Sequence, residues 1–557
     1  MKSSNMTKAI IVLLLWAFVA WPERTLSQPQ LVKGEELLEQ GKVMEALTEL
    51  RRVVAAYPRN TRGWLLLGQA YLRAAKFDSS AIAGRQALAI DDEIVEGHLL
   101  VAQAEVGQQN LDAAHLAVKA GLKLDPDNSA LLIQLGFIQL ARDSADQALV
   151  TFSRAKESGP QDPLVFEGLG DSYLKLGVTV MATQSYERSV QLDSLRPGPQ
   201  LKLARAYVKE RRYNDAARMY ENCIRLDSLN HPGMLELGKL YLLAKQYGNA
   251  ARILRLYIQR CPTDLDERIL YMESLYFSKQ YDDAIATANQ VLQVDRASTK
   301  ALRILAQSFF ELQNYDRAAR AFEHLSREDT LGVDDLVQVG KAYMQTRRDT
   351  LAARTFERVL RLDTTQTEVY SDLGATYMRL RQFEKAAFMF ERKFLRDPSS
   401  ASAYVNYALS NMALGKWHRA REALREALVV APQYLQGHLF LGRCLLQLDS
   451  LQAAKKEYEI VVKLANASED KYKAELAEAR GMIGLAMLVD KKYPEAIELL
   501  TRSIKLKGDD PQTHLWLAQS LALSNRREEA IEEYKKVLKL DPDNKDAKKG
   551  LEILEQY

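Results

Sequence analysis

Residues 367–400 read TEVYSDLGATYMRLRQFEKAAFMFERKFLRDPSS, and this stretch decides the fold. Tyr370, Leu373, Gly374 and Tyr377 fall at i, i+3, i+4 and i+7, the spacing of one face of an α-helix. Ala386, Phe390 and Lys393 keep helical spacing on a second segment. Pro398 ends that segment, because proline has no N–H to donate and disfavours helical geometry at Asp397. Two short helices joined by a turn account for the pattern. Gly374 and Ala386 are small where the helices would cross; Tyr370, Tyr377 and Phe390 are large where the gap between them must be filled.

The unit recurs. Thirteen copies begin at Ser27 and follow every 34 residues to Leu435 without a slip; Glu469–Leu476 are then inserted, and two further copies begin at Ala477 and Pro511. Position 20 is alanine in fourteen of the fifteen copies, with Ser80 the exception. Position 8 is glycine or alanine in all copies but one, where Met272 stands; Ala288 in the same copy is small where an aromatic residue or leucine is usual. Small residues at both crossing points of all copies but one predict an all-α chain built by stacking, in which each unit buries its apolar face on its neighbours.

Trp64, Leu67, Gly68 and Tyr71 carry the first-helix signature of a helix–turn–helix repeat family, and the chain resembles a tetratricopeptide repeat protein over nearly all of its length after residue 26. The resemblance implies a right-handed α-solenoid superhelix of about fifteen repeats. The expected divisions are a leader at 1–27, repeats one to thirteen at 28–468, the insertion at 469–476, repeats fourteen and fifteen at 477–544, and a capping helix at 545–557. For the insertion, two readings stand: a following helix lengthened by about two turns, from near Glu469 to Val489, or a plain loop.

Composition narrows the function. Apolar residues make up 47% and charged residues 27%, values of a soluble helical protein. The formal charge is +3, of which residues 1–27 supply +2, so the repeats are nearly neutral and lack the basic excess of a nucleic-acid binder. Cys223, Cys261 and Cys444 are too few for a disulfide framework; Cys223 and Cys444 read as small apolar fillers, with a Cys223–Cys261 pair as the alternative. Lys2 and Lys8 precede the apolar run Ala9–Ala20, and Thr25 and Ser27 are small residues before Gln28. This is the three-part pattern of a secretory signal peptide, cleaved or kept as an anchor. It points to export, to the periplasm or an outer membrane.

Catalytic motifs fail on context. Gly233–Lys239 has phosphate-loop spacing, but Leu240 replaces the magnesium-binding hydroxyl and the stretch reads as helix. Gly170-Asp171-Ser172 likewise lies on a helix and lacks the closing glycine of a nucleophile elbow. His98, His438 and His514 share position 4 of the repeat, a packing position. Neither an enzyme, a cofactor nor a metal site is expected.

By the resemblance, positions 2, 5, 9, 12 and 13 of each repeat face a partner in a concave groove. The residues so placed include Phe137, Arg205, Lys209, Lys239, Leu242, Tyr276, Phe277, Phe310, Lys341, Met378, Arg379, Met412 and Arg443. Ile133, Leu140, Val405 and Leu439 extend the apolar strip, which is either an open partner surface or buried against neighbouring repeats. Arg205, Lys209 and Lys239 form an expected basic patch for an acidic group. The expected function is a non-catalytic scaffold for a protein, peptide or helix, in envelope assembly, secretion or polysaccharide export. A substrate-docking subunit of an enzyme complex and a lipid or glycan carrier are the alternatives.

Overall fold

The computed structural model describes residues 29–159 and 161–556, so the expected leader at 1–27 lies outside them. Among the described residues there are thirty-one α-helices, one short 3-10 turn and no strand. The chain divides into two units, residues 29–279 and 280–556. Each is an α-solenoid of helical hairpins. In a full repeat the first helix covers positions 1–13 and the second positions 17–30, as in Thr367–Arg379 and Phe383–Arg396.

The hairpin closes because two sizes match. Position 20 is wholly buried in every repeat, from Ala46 to Ala530. Position 8 faces position 24: a Cβ added at Gly374 would lie 2.8 Å from the Phe390 ring, and one at Gly136 would lie 2.6 Å from Phe152. Phe152, Tyr186, Phe322, Phe356 and Phe390 are among the largest fully buried side chains of the chain, and all occupy position 24. In repeat eight position 8 carries Met272 and position 24 carries Ala288, each with 0% exposure.

Each turn depends on one residue at position 15 in the left-handed region. All fifteen have φ between 54° and 80°, yet only Gly41, Gly177 and Gly415 are glycine. The residue after it donates its N–H to the carbonyl of position 11, as in Gln382 to Tyr377 at 2.9 Å, the Schellman closure of a helix end.

The turns between repeats are clasped from position 4. The Trp64 indole N–H donates to the Pro58 carbonyl at 2.9 Å, the Gln200 amide to Ser194 at 2.6 Å and the Tyr370 hydroxyl to Thr364 at 3.4 Å. His438 and His514 do the same through Nε2, to Pro432 at 2.9 Å and Gly508 at 3.3 Å. Their Nδ1 atoms meet Glu457 at 2.6 Å and Glu533 at 2.5 Å. They are therefore packing residues that also make two hydrogen bonds. Burial disfavours the His438 cation, but the Glu457 carboxylate and the Pro432 carbonyl outweigh it and raise its pKa. The Glu533 hydrogen bond raises His514 against burial.

The insertion resolves between the two expected readings. Asn466–Ser468 form the 3-10 turn, a further turn follows, and the next helix runs Lys473–Val489. It begins four residues after the expected start near Glu469, and gains one turn rather than two. At the far end Lys545–Gln556 form a last helix whose Leu551 and Leu554 pack on the core of repeat fifteen.

Two outcomes follow from this packing. Gly374→Met overpacks the crossing and costs about 1–3 kcal/mol, and Phe390→Ala costs about 3–5 kcal/mol. Combined, as in repeat eight, they cost at least about 1 kcal/mol less than the sum, measured by a double-mutant cycle of urea unfolding. For the histidines, a raised folded pKa means stabilisation that is complete below the unfolded value near ~6.5 and lost as pH rises through the folded one. His514→Gln thus loses more stability at acidic than at alkaline pH. A pH-independent loss in urea titrations rejects the charged pairing.

Candidate functional site

The first helices carry the expected partner face, and packing has consumed much of it. Ile133, Leu140, Val405 and Leu439 are buried. Phe137, Leu242, Tyr276, Phe310, Met378 and Met412 are partly buried. Phe137 is held edge-on to Phe152 with ring centres 5.1 Å apart. Phe277 and Leu243 remain exposed, at 51% and 67%, and Phe277 stacks on Tyr247 at 4.9 Å. The strip is broken rather than continuous, because positions 5 and 12 are buried in several repeats while position 2 is exposed in many.

The expected basic patch is not a free one. Arg205 grips Glu236 through three contacts of 2.6–3.1 Å, and Glu236 also accepts the Tyr220 hydroxyl at 2.9 Å. Lys239 lies 3.6 Å from Glu267. Lys209 stays exposed. The same arrangement holds Lys341 against Asp372 at 4.0 Å, Arg379 against Asp349 at 2.9 Å, and Arg443 against Glu478 at 2.5 and 2.6 Å. For Arg205, Lys239, Lys341 and Arg443, the carboxylate stands on the first helix of the following repeat. A list of groove positions misses it, since the partner occupies position 2, 3 or 6 about 28–35 residues later. Exposed pairs of this kind contribute about 0–1 kcal/mol each; their larger effect is to remove net charge from the face.

A second neutral cluster is buried. Glu167 accepts from Arg196 and Lys202, both at 2.8 Å; Lys202 also reaches Asp171 at 2.6 Å, and Asp171 accepts the Tyr186 hydroxyl at 2.7 Å. Glu167 is only 2% exposed. Burial pushes its carboxyl up, but the Lys202 and Arg196 charges outweigh burial and hold it below the usual range. Two negative and two positive groups thus cancel between repeats five and six. Neighbouring repeats are further tied by tyrosines at position 11: the Tyr207 and Tyr241 hydroxyls donate to Glu187 and Glu221 of the preceding repeat, both at 2.6 Å. Burial and the Glu221 bond push Tyr241 up to about 12.

One stretch of the first-helix face stays open. A cavity of about 460 Å³ lies among repeats thirteen to fifteen, lined by Phe440, Arg443, Glu475, Glu478, Met482 and Trp516. Arg443 also stacks on Phe440, 5.2 Å from the ring centre. The added turn of the Lys473–Val489 helix brings Glu475 to the cavity wall. The signal for this site was the insertion itself, which breaks the register beside it.

The motifs set aside in the sequence sit as read: Gly233–Lys239 lies inside the helix His231–Leu243, and Gly170–Ser172 inside Pro163–Lys175. All three cysteines are free thiols, Cys223 donating to the Pro197 carbonyl at 3.3 Å and Cys261 lying 2.9 Å from His231 Nδ1. Among the described residues no cluster of three His, Cys, Asp or Glu side chains is placed to hold a metal ion, and no helix is long and apolar enough to cross a membrane.

Comparison with family models agrees with the repeat architecture. Two tetratricopeptide repeat family models match, one over residues 31–93 and 201–264, the other over 105–169 and 488–552. A model of the anaphase-promoting complex, cyclosome, subunit 3 matches residues 243–325 and 379–461. No curated protein matches the chain. Solved structures with similar folds include the C-terminal part of a repeat protein from Cytophaga hutchinsonii (20% identity, 51% of this chain and 99% of that one, TM-score 0.36). The Cut9–Hcn1 hetero-tetramer of the APC/C is another (15% identity, 90% and 98%, TM-score 0.33). So is PilF of Pseudomonas aeruginosa (22% identity, 38% and 95%, TM-score 0.35).

The buried charge cluster yields a sharp outcome. Lys202→Met strands Glu167 and Asp171 with one cation between them and destabilises the chain by about 3–5 kcal/mol. The double change Asp171→Asn, Lys202→Met, which leaves Glu167 paired with Arg196, recovers most of that loss. Circular dichroism during urea unfolding reads both.

Proposed function

The chain belongs to the tetratricopeptide repeat family, and we infer that it is a non-catalytic protein-interaction scaffold that takes a peptide or helix of a partner protein into the cavity of repeats thirteen to fifteen. The single observation that carries the location is that opening. Elsewhere most of the assigned first-helix positions are partly buried or held in ion pairs between repeats, with Lys209, Leu243 and Phe277 exposed singly, whereas Phe440, Met482 and Trp516 together line unfilled space. Aromatic and methionine side chains beside an arginine are the residue types that dominate binding at protein interfaces. The Arg443–Glu478 pair on the cavity wall offers both charges to a polar backbone without attracting either sign of bulk charge.

The workplace we propose is outside the cytoplasm, in an envelope assembly, secretion or polysaccharide-export complex. The support is the pattern of residues 1–27, a charged start, an apolar run and small residues before Gln28.

The test is site-specific photo-cross-linking in cells that make the full chain. A photoreactive residue replacing Met482 gives a discrete product with a partner protein, and Trp516→Ala removes that product with helicity unchanged. The same residue replacing the exposed Lys456, on a second helix, gives none. Equal products from both positions reject the cavity as the docking site.

A further inference from the structure

Position 4 of each repeat carries a ring or other large side chain, and the chain often supplies that group with a charged neighbour. In repeat five the Phe166 ring is flanked by Lys156 and Arg188, each 5.9 Å from its centre. In repeat eleven Arg396 lies 4.7 Å over Tyr370. In repeats thirteen and fifteen Glu457 and Glu533, at position 23, hold His438 and His514.

Repeat twelve has no such neighbour over its ring among the described residues. Its position-4 ring is Tyr404. The places that hold Lys156 and Arg188 around Phe166 carry Phe394 and Glu426 here, and position 23 is Ala423. The outcome is a shallow cavity of about 430 Å³ on the second-helix side, with Phe394, Tyr404, Tyr407, Ala423 and Glu426 in its lining. Phe394 stacks on Tyr404 with ring centres 4.4 Å apart and meets Tyr407 edge-on at 5.4 Å. Glu422, one turn before Glu426, is held by Arg421 at 2.7 Å and Arg425 at 3.6 Å. Glu426 has no ion-pair partner among the described residues.

We propose that this aromatic box binds the guanidinium or ammonium of an arginine or lysine side chain on a partner protein. Three aromatic rings with an unpaired carboxylate at the rim form the environment a cation prefers, ring faces supplying negative potential and Glu426 the counter-charge. The chain itself fills the equivalent place in repeat five with its own cations. Arg419 and His418 line the same cavity. The Arg419 charge disfavours a dense basic run, so the ligand is a single cation flanked by neutral residues. The site lies outside the first-helix face, and its failure leaves the cavity near Arg443 untouched.

The experiment follows the Ala423 methyl group by NMR in deuterated full-length protein labelled at alanine methyls, titrated with the blocked tripeptide acetyl-Gly-Arg-Gly-amide. The Ala423 signal shifts saturably in the millimolar range, while the buried Ala386 signal stays fixed. Acetyl-Gly-Gln-Gly-amide gives no saturable shift. Glu426→Gln, an exposed change, weakens the arginine peptide about two- to fivefold. Phe394→Lys, which restores the cation of repeat five, abolishes the response. Equal shifts with both peptides, or full affinity in Glu426→Gln, overturn the proposal.

Discussion

The structure depends on how closely two helices can cross. In each hairpin the distance is set by position 8, position 20 and position 24 taken together. Alanine or serine at position 20 is sealed from solvent in every repeat, and the side chain at position 24 occupies the volume that position 8 leaves. Where position 8 is glycine, a phenylalanine, tyrosine or leucine stands opposite in nearly all repeats. Where position 8 is alanine, position 24 is Val118, Tyr220, Phe322, Leu424 or Tyr534. Interiors are close-packed, so a small residue at position 8 leaves room for the larger one opposite. Repeat two departs from the pairing, with Gly68 opposite Gly84, and Leu100 of the next repeat fills the gap.

Once the hairpins are set, the polar groups join them to one another. Position 4 clasps the turn between repeats, position 11 reaches the glutamate of the preceding second helix, and the charges of the first helices pair across to the next hairpin. Each bond is modest, but together they use most of the chemistry a sequence reader would assign to a partner. The surface left for the two proposed contacts is therefore what packing leaves over, at the inserted turn beside Arg443 and at the Phe394–Tyr404 ring stack.

How much of this was legible varies with the kind of evidence a residue carries. The hairpins, their register and the crossing residues could be read by laying the chain on itself, because Gly374 and Ala386 recur in kind at fixed spacing. The left-handed turn residue could not: Lys279, Arg347 and Arg381 adopt φ near 60° although nothing in a lysine or arginine announces it. The Schellman geometry, repeated at the end of nearly every first helix, imposes that conformation from outside the residue. The candidate face was half legible. Arg443 was assigned to it and lines the cavity, but Met482 and Trp516 were not, and the patch of Arg205 and Lys239 was assigned without Glu236 and Glu267 that neutralise it.

The sequence by itself determined that this chain is a row of α-hairpins and which side chains meet inside each one, because those contacts lie within about 34 residues and repeat with the period. Tertiary structure decided which surface groups remain free. A charge on one helix is neutralised by a group some 30 residues away on the next, and a ring is covered or left open according to side chains on two different helices. Such pairings depend on the distance and angle between stacked hairpins, quantities that the residue pattern of a single repeat does not contain.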